Sequence, residues 1–153
     1  MANRLQWSGW LLSLAVLGAL PALGQANFGS LTLGGDRQSG ALTGSTGGST
    51  SLPAIVSNHD RDGNACLGFG DPTPDHILVL QKNFPTLKLR VSSDNGGTTL
   101  VVQGDRDSRC SDTTTRKKDA RISGNDWQAG TYKIWVGTAA PGARQNYTLS
   151  VSP

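Results

Sequence analysis

The stretch Thr98–Asp112, TTLVVQGDRDSRCSD, decides how the rest of the chain is read. It opens on β-branched and apolar residues, Thr98 to Gln103, which predict a strand. Gly104 breaks the run, and Asp105-Arg106-Asp107-Ser108 supplies turn-forming, charged side chains. Arg109 then leads into Cys110, one of two cysteines in the chain, with Asp112 just beyond. A strand that turns directly into a cysteine predicts an architectural joint of a β-fold, with carboxylates gathered around it.

Whether that cysteine is bonded depends on the compartment, and the N-terminus bears on this. Arg4 is a thin positive region, Trp10 to Leu20 (WLLSLAVLGAL) an apolar core, and Gly24-Gln25-Ala26 a small-residue cleavage site. Residues 1–26 therefore read as a signal peptide cleaved before Asn27. An uncleaved anchor would need roughly 17 to 25 apolar residues, and Trp7 to Leu23 barely reaches that with Ser, Gly and Pro inside. In an exported chain two cysteines pair most simply with each other, so Cys66–Cys110 is the expected disulfide. The alternative, a functional thiol pair, has no CxxC to support it.

The remaining chain, 27–153, suits one domain that buries roughly two thirds of its surface. All 11 acidic residues are Asp, with no Glu, and the chain has 20 Gly; this favours turns over helices. The formal charge of +3 is a slight cationic excess rather than a basic face, which gives no case for nucleic acid.

Moving outward from the joint, Leu87 to Ser93 alternates Leu87, Leu89 and Val91 against Lys88, Arg90 and Ser92, a half-buried strand. Asp94-Asn95-Gly96-Gly97 reads as a hairpin turn delivering it into Thr98. Further strands are expected at Phe28–Leu33, Leu52–Val56, His76–Gln81, Ala120–Ser123, Thr131–Gly137 and Gln145–Val151, with Asp36–Ser51, rich in Gly, Ser and Thr, a mobile surface loop. About eight short strands without a helical period predict an all-β, antiparallel sandwich.

The order of these pieces resembles the bacterial pre-peptidase C-terminal domain. The resemblance rests on Cys66-Leu67-Gly68, Pro74-Asp75-His76, the Ser-Ser-Asp end of Leu87–Asp94, Thr98 to Val102, Arg109-Cys110-Ser111-Asp112, Gly130 to Gly137 and Tyr147-Thr148-Leu149. It implies a jelly-roll-like β-sandwich found on secreted proteins, often behind a peptidase, where it is either removed during maturation or helps attachment, and sometimes binds calcium, collagen or glycans. The family pattern often has an Asp before the Thr-Thr-Leu strand and two after the second Cys; here Gly97 and Asp112-Thr113 stand there.

Asp60-Arg61-Asp62-Gly63-Asn64 is the best cation candidate by residue type, because Ca²⁺ takes six to eight oxygens. A Cys66–Cys110 bond would bring Asp107 and Asp112 towards it, so Asp60, Asp62, Asp107 and Asp112 form the candidate calcium set. Asx turns that bond their own backbone are the alternative. His59 and His76 lack a third zinc ligand. Trp127 and Trp135 are candidates for stacking on a sugar or anchoring a protein, with core packing as the alternative. Arg116-Lys117-Lys118 could touch an acidic polysaccharide or a membrane, or simply be solvated, and Asn146-Tyr147-Thr148 matches a glycosylation sequon. No carboxylate pair or triad is marked out, so the reading is not an enzyme.

The function expected from the sequence is a secreted or periplasmic, non-catalytic binding or adhesion module for a polysaccharide or protein, calcium-assisted, without stable membrane insertion. The alternative is an envelope-associated structural protein or an accessory to a secreted peptidase.

Overall fold

The computed structural model, which describes residues 24–111 and 118–153, turns this alternation into two facing sheets. In chain order the strands are β1 (Ser30–Leu33), β2 (Gly40–Ser45), β3 (Thr50–Ser51), β4 (Phe69–Gly70), β5 (His76–Leu80), β6 (Phe84–Ser93), β7 (Thr98–Gln103), β8 (Ser108–Cys110), β9 (Arg121–Trp127), β10 (Gly130–Thr138) and β11 (Asn146–Ser152). One sheet has four strands in the order β2-β11-β6-β9; the other has seven, with β10 at its centre beside β5, β7 and β4. The result is an open sandwich rather than a closed barrel.

The alternation sets the faces. Leu87, Leu89 and Val91 of β6 and Tyr147, Leu149 and Val151 of β11 point inward and meet Tyr132, Ile134 and Val136 of β10. Lys88, Arg90 and Ser92 stay exposed. Each fully buried Leu or Ile of this layer contributes roughly 1.5–3 kcal/mol, far more than a single turn residue, so the core fixes strand register.

The seven-stranded sheet is also buried on part of its outer side, while Thr131 and Lys133 of β10 stay exposed. Val101 and Trp135 point away from the main core, and a second cluster forms there with Leu52, Cys66 and Cys110, flanked by Ile55 and Val56. The lid over it is one helical turn, α1 (Leu52–Ile55), and the loop carrying Cys66. Pro53 suits the first turn of that helix, where its missing N–H costs no bond. The Cys66–Cys110 disulfide, with a Cα–Cα distance of 5.1 Å, fastens the lid to β8. Gly68 (φ +109) passes so close to Thr99 that a Cβ there would collide with its side chain.

Several expectations change. The Gly, Ser and Thr run contains β2 and β3 because their ladders, to β11 and to β4, need only backbone groups. Leu52–Val56 is helical rather than extended. The Asp94–Gly97 turn does take positive φ at Gly96 and Gly97, yet it joins two sheets: β6 pairs with β9 and β11, whereas β7 pairs with β8 and β10. β9 runs on through Asn125 and Asp126 to Trp127 rather than ending at Ser123. The strand count rises to eleven through the short β3, β4 and β8, and β1 runs parallel to β5. The expected signal peptide falls almost wholly outside the described residues.

Candidate functional site

Three loops meet at one end of the sandwich: Asp60–Asn64 of the lid, the β7–β8 turn, and the segment from Asp126 to Gly130. The β7–β8 turn closes with the Gly104 N–H donating to the Asp107 carbonyl at 2.9 Å. The Arg61 N–H donates to the Ser108 carbonyl at 3.1 Å, so the disulfide-tethered loop docks on the hairpin by its backbone as well.

Asp60 organises its own loop. Oδ1 accepts N–H bonds from Asp62 at 2.9 Å and Asn64 at 2.8 Å. Oδ2 accepts from Asn64 Nδ2 at 3.1 Å and from the Cys110 N–H at 3.0 Å. Burial alone would raise this carboxyl; the donors from Cys110, Asn64 and Asp62 outweigh it and hold the group below its ordinary value.

Arg61 crosses to the hairpin. Its guanidinium donates to Asp107 Oδ2 at 2.8 Å and lies 3.9 Å from carboxylates of Asp62 and Asp126. Asp107 also faces Arg109, 3.8 Å away. Arg109 is buried, donates to the Asn125 and Asp126 carbonyls at 3.0 Å, and stacks 4.1 Å above the Trp127 ring. Burial pulls its guanidinium down in pKa and Asp107 partly restores it. Trp127 donates to the Gly124 carbonyl at 3.0 Å, while the buried Arg109 Nε has no hydrogen-bond partner among the described residues.

These contacts wall a cleft of about 530 Å³ whose lining includes Arg61, Asp105, Arg106, Asp126, Gln128 and Tyr132. Tyr132 donates its hydroxyl to the Gln128 carbonyl at 2.8 Å, which fixes the cleft floor. Arg106 makes no ion pair among the described residues. The cleft is therefore a preformed polar recess with both signs of charge, suited to hydrogen bonding.

The structure sorts the sequence candidates clearly. The disulfide forms as expected and does bring Asp60, Asp62 and Asp107 to one end. Their carboxylates do not converge: Asp60 is taken up by N–H donors, Asp107 by Arg61, and Asp62 points outward. No group of three or more His, Cys, Asp or Glu among the described residues could hold a metal ion. Asp112 and Arg116-Lys117 lie outside those residues. Trp127 and Trp135 are both buried, at 0% and 2% exposure, so neither presents a stacking face. Trp135 does sit on the outward side of its sheet; α1 and the Cys66 loop cover it. Arg61, Arg109 and Asp126 were not among the candidates. The signal for Arg109 is its place next to a disulfide cysteine in a short strand, where one face must be buried.

A second group of perturbed side chains lies inside the sandwich. Asp75 Oδ2 accepts the Val136 N–H at 2.7 Å, and burial pushes this carboxyl up to about 7. His76 Nε2 and Tyr147 Oη are 2.9 Å apart and both rings are buried. Burial pulls His76 down to about 4 and drives Tyr147 up. His76 thus bonds across the sandwich, rather than locally as a residue beside Asp75 would suggest.

The chain matches no protein-family model and no curated protein. Two solved structures are similar at low identity. One is the pre-peptidase C-terminal domain of a collagenase from Bacillus anthracis, 13% identical with a TM-score of 0.44, covering 85% of this chain and 97% of that one. The other is a periplasmic inhibitor of g-type lysozyme from Aeromonas hydrophila, 14% identical with a TM-score of 0.43, covering 84% of this chain and 98% of that one.

Proposed function

We propose that the protein is an exported, non-catalytic binding module whose ligand, a polysaccharide or a protein, seats in the cleft beside Arg106. The observation that carries this reading is the cleft itself, held open by the Arg61–Asp107 ion pair and by a disulfide-tethered loop. Preorganised polar groups lose little freedom on binding, which favours recognition. The carboxylates nearest the centre are already committed to N–H and guanidinium donors, which leaves them poorly placed as acid and base. A calcium-assisted version would have to strip Asp60 of its donors and seat a dication beside Arg61. Export supports the disulfide, and residues 1–26 would be the segment removed.

The test is a glycan array and a pull-down on purified cell wall, using the protein and an Arg106→Glu variant. Hydrogen bonds to a charged group are worth about 1.5–3 kcal/mol, so the variant should bind at least ~10-fold more weakly. EGTA should leave the melting temperature unchanged. Unaltered binding by the variant, or no ligand and a concentration-dependent oligomer instead, would reject the cleft.

A further inference from the structure

We propose that the outward face of the four-stranded sheet is a docking surface for an acidic polysaccharide. The surface is separate from the cleft, and the proposal stands whether or not the cleft takes a ligand. The two sheets differ in how their outer faces are treated. That of the seven-stranded sheet is roofed by α1 and the Cys66 loop over Val101 and Trp135. No such second cluster covers the outer side of β2, β11, β6 and β9 among the described residues.

The composition of that face is one-sided. Ala41 and Thr43 of β2, Ser150 of β11, Lys88, Arg90 and Ser92 of β6, and Arg121 and Ser123 of β9 are exposed there. The one acidic residue exposed on these strands, Asp126 at the far end of β9, faces Arg61 of the cleft, 3.9 Å away. Register brings the cations together: Arg90 lies directly opposite Arg121, and Lys88 opposite Ser123, one step along the same face. Ser150 and Ser152 of β11 flank Arg90 and Lys88 on the other side. None of the three cations makes an ion pair among the described residues. Arg121 shares a cavity of about 150 Å³ with Asp60 and Asp62 at the sheet edge but pairs with neither. Like charges directly across a strand pair destabilise it. The arrangement therefore gives the isolated fold nothing, and a bound polyanion would relieve it. The sequence shows no basic face because these cations are spread over 34 positions of the chain; pairing of β6 with β9 collects them.

The surroundings favour a sugar polymer among polyanions. Ser and Thr hydroxyls line the rows between the cations. Towards the Ser92 end the face runs into a shallow groove of about 630 Å³ that includes Thr43, Ser92, Thr148 and the half-exposed ring of Phe28. Hydroxyls and one open ring suit a pyranose chain. Apart from Ala41 and Pro85 the exposed positions of these strands are polar, which leaves little for a lipid surface to bury. A run of nucleotides would want successive aromatic platforms. Asp94, also at the groove, is about 13 Å along the strand from Arg90, beyond the screening length of about 8–10 Å at ordinary salt.

The experiment measures binding of the protein to alginate and to dextran sulfate, with neutral dextran, single-stranded DNA and phosphatidylglycerol vesicles as comparisons. Binding to the acidic polymers, weakened by added salt and absent for neutral dextran, is expected. A cation at an anionic surface is worth about 1 kcal/mol, or about fivefold. Lys88→Gln, Arg90→Gln and Arg121→Gln combined should therefore weaken binding ~100-fold without lowering the melting temperature, whereas Arg106→Glu should leave it alone. No alginate or dextran sulfate binding at low salt, equal binding by the triple variant, or tighter binding to DNA or vesicles would overturn the proposal. Loss through Arg106→Glu alone would transfer the ligand to the cleft.

Discussion

Replacing Cys66 and Cys110 together by Ala is expected to lower the unfolding free energy by about 4 kcal/mol, the chain-entropy value for closing a loop of this length. The two residues are 44 apart in sequence. For a domain of this size such a loss lowers the melting temperature by roughly 15 °C. The structure adds a second, local consequence. The bond holds the lid that buries Trp135, whose indole N–H donates to the Pro72 carbonyl at 3.3 Å. Once the tether is gone the lid can open without the main core, because Leu52, Val101 and Trp135 belong to a separate cluster. Trp135 emission should shift to the red below the global transition, while Trp127, packed in the main core under Arg109, keeps its environment. Should the double variant fail to fold, reducing the intact protein and following the same emission gives the same reading. A loss below about 1 kcal/mol, the average cost of any substitution, would show that the bond from Cys110 N–H to Asp60 and the packing of Leu52 hold the lid unaided.

That lid was half legible in the sequence. Cysteine arithmetic reaches the Cys66–Cys110 pair, and alternation places Trp135 on the face opposite Ile134. What covers that face is a question of long-range packing, and a loop written in Ser, Asn, Asp and Gly carries no periodicity to announce it. The strands were legible where one side chain in two is apolar, as in β6, β10 and β11. They were not legible in β2, where Gly-Ala-Leu-Thr-Gly-Ser pairs through its backbone with β11. The turn at Asp94–Gly97 shows the same division. Local chemistry supplies the positive φ angles at Gly96 and Gly97, but which strands then pair is decided by the core, and β6 and β7 go to opposite sheets.

The cleft was legible as a gathering of aspartates, but the partners those aspartates take were not. Asp60 and Asp107 look like ligands by residue type. The intervening Arg61 converts one of them into an ion-pair partner, and backbone N–H groups take the other. Charge counting along the chain cannot show this, since it depends on the docking of residues 46 positions apart.

The interior carboxyl and imidazole lead to the other large expected effect, a pair of opposed pH dependences. Asp75 has a folded pKa of about 7 against 3.8 for the free group. Its contribution is fully present below pH 3.8 and is lost as pH rises through 7, a swing of about 4 kcal/mol at 1.36 kcal/mol per unit. His76 has a folded value of about 4 against 6.5. Its contribution is present above pH 6.5 and is lost as pH falls through 4, a swing of about 3 kcal/mol. Across the shared window, from pH 4 to 6.5, the two slopes have opposite sign and nearly cancel. The native protein should therefore show an almost flat stability there, and each substitution should expose the other group. Asp75→Asn, which keeps an acceptor for the Val136 N–H, should become less stable by about 3 kcal/mol as pH falls from 6.5 to 4. His76→Gln, which can still bond Tyr147, should instead lose stability as pH rises from 4 towards 7. Urea unfolding across this range measures both slopes. Parallel profiles for the native protein and Asp75→Asn would mean that the buried carboxyl is ionised in the fold, and the Val136 N–H would then be bonded to a charge.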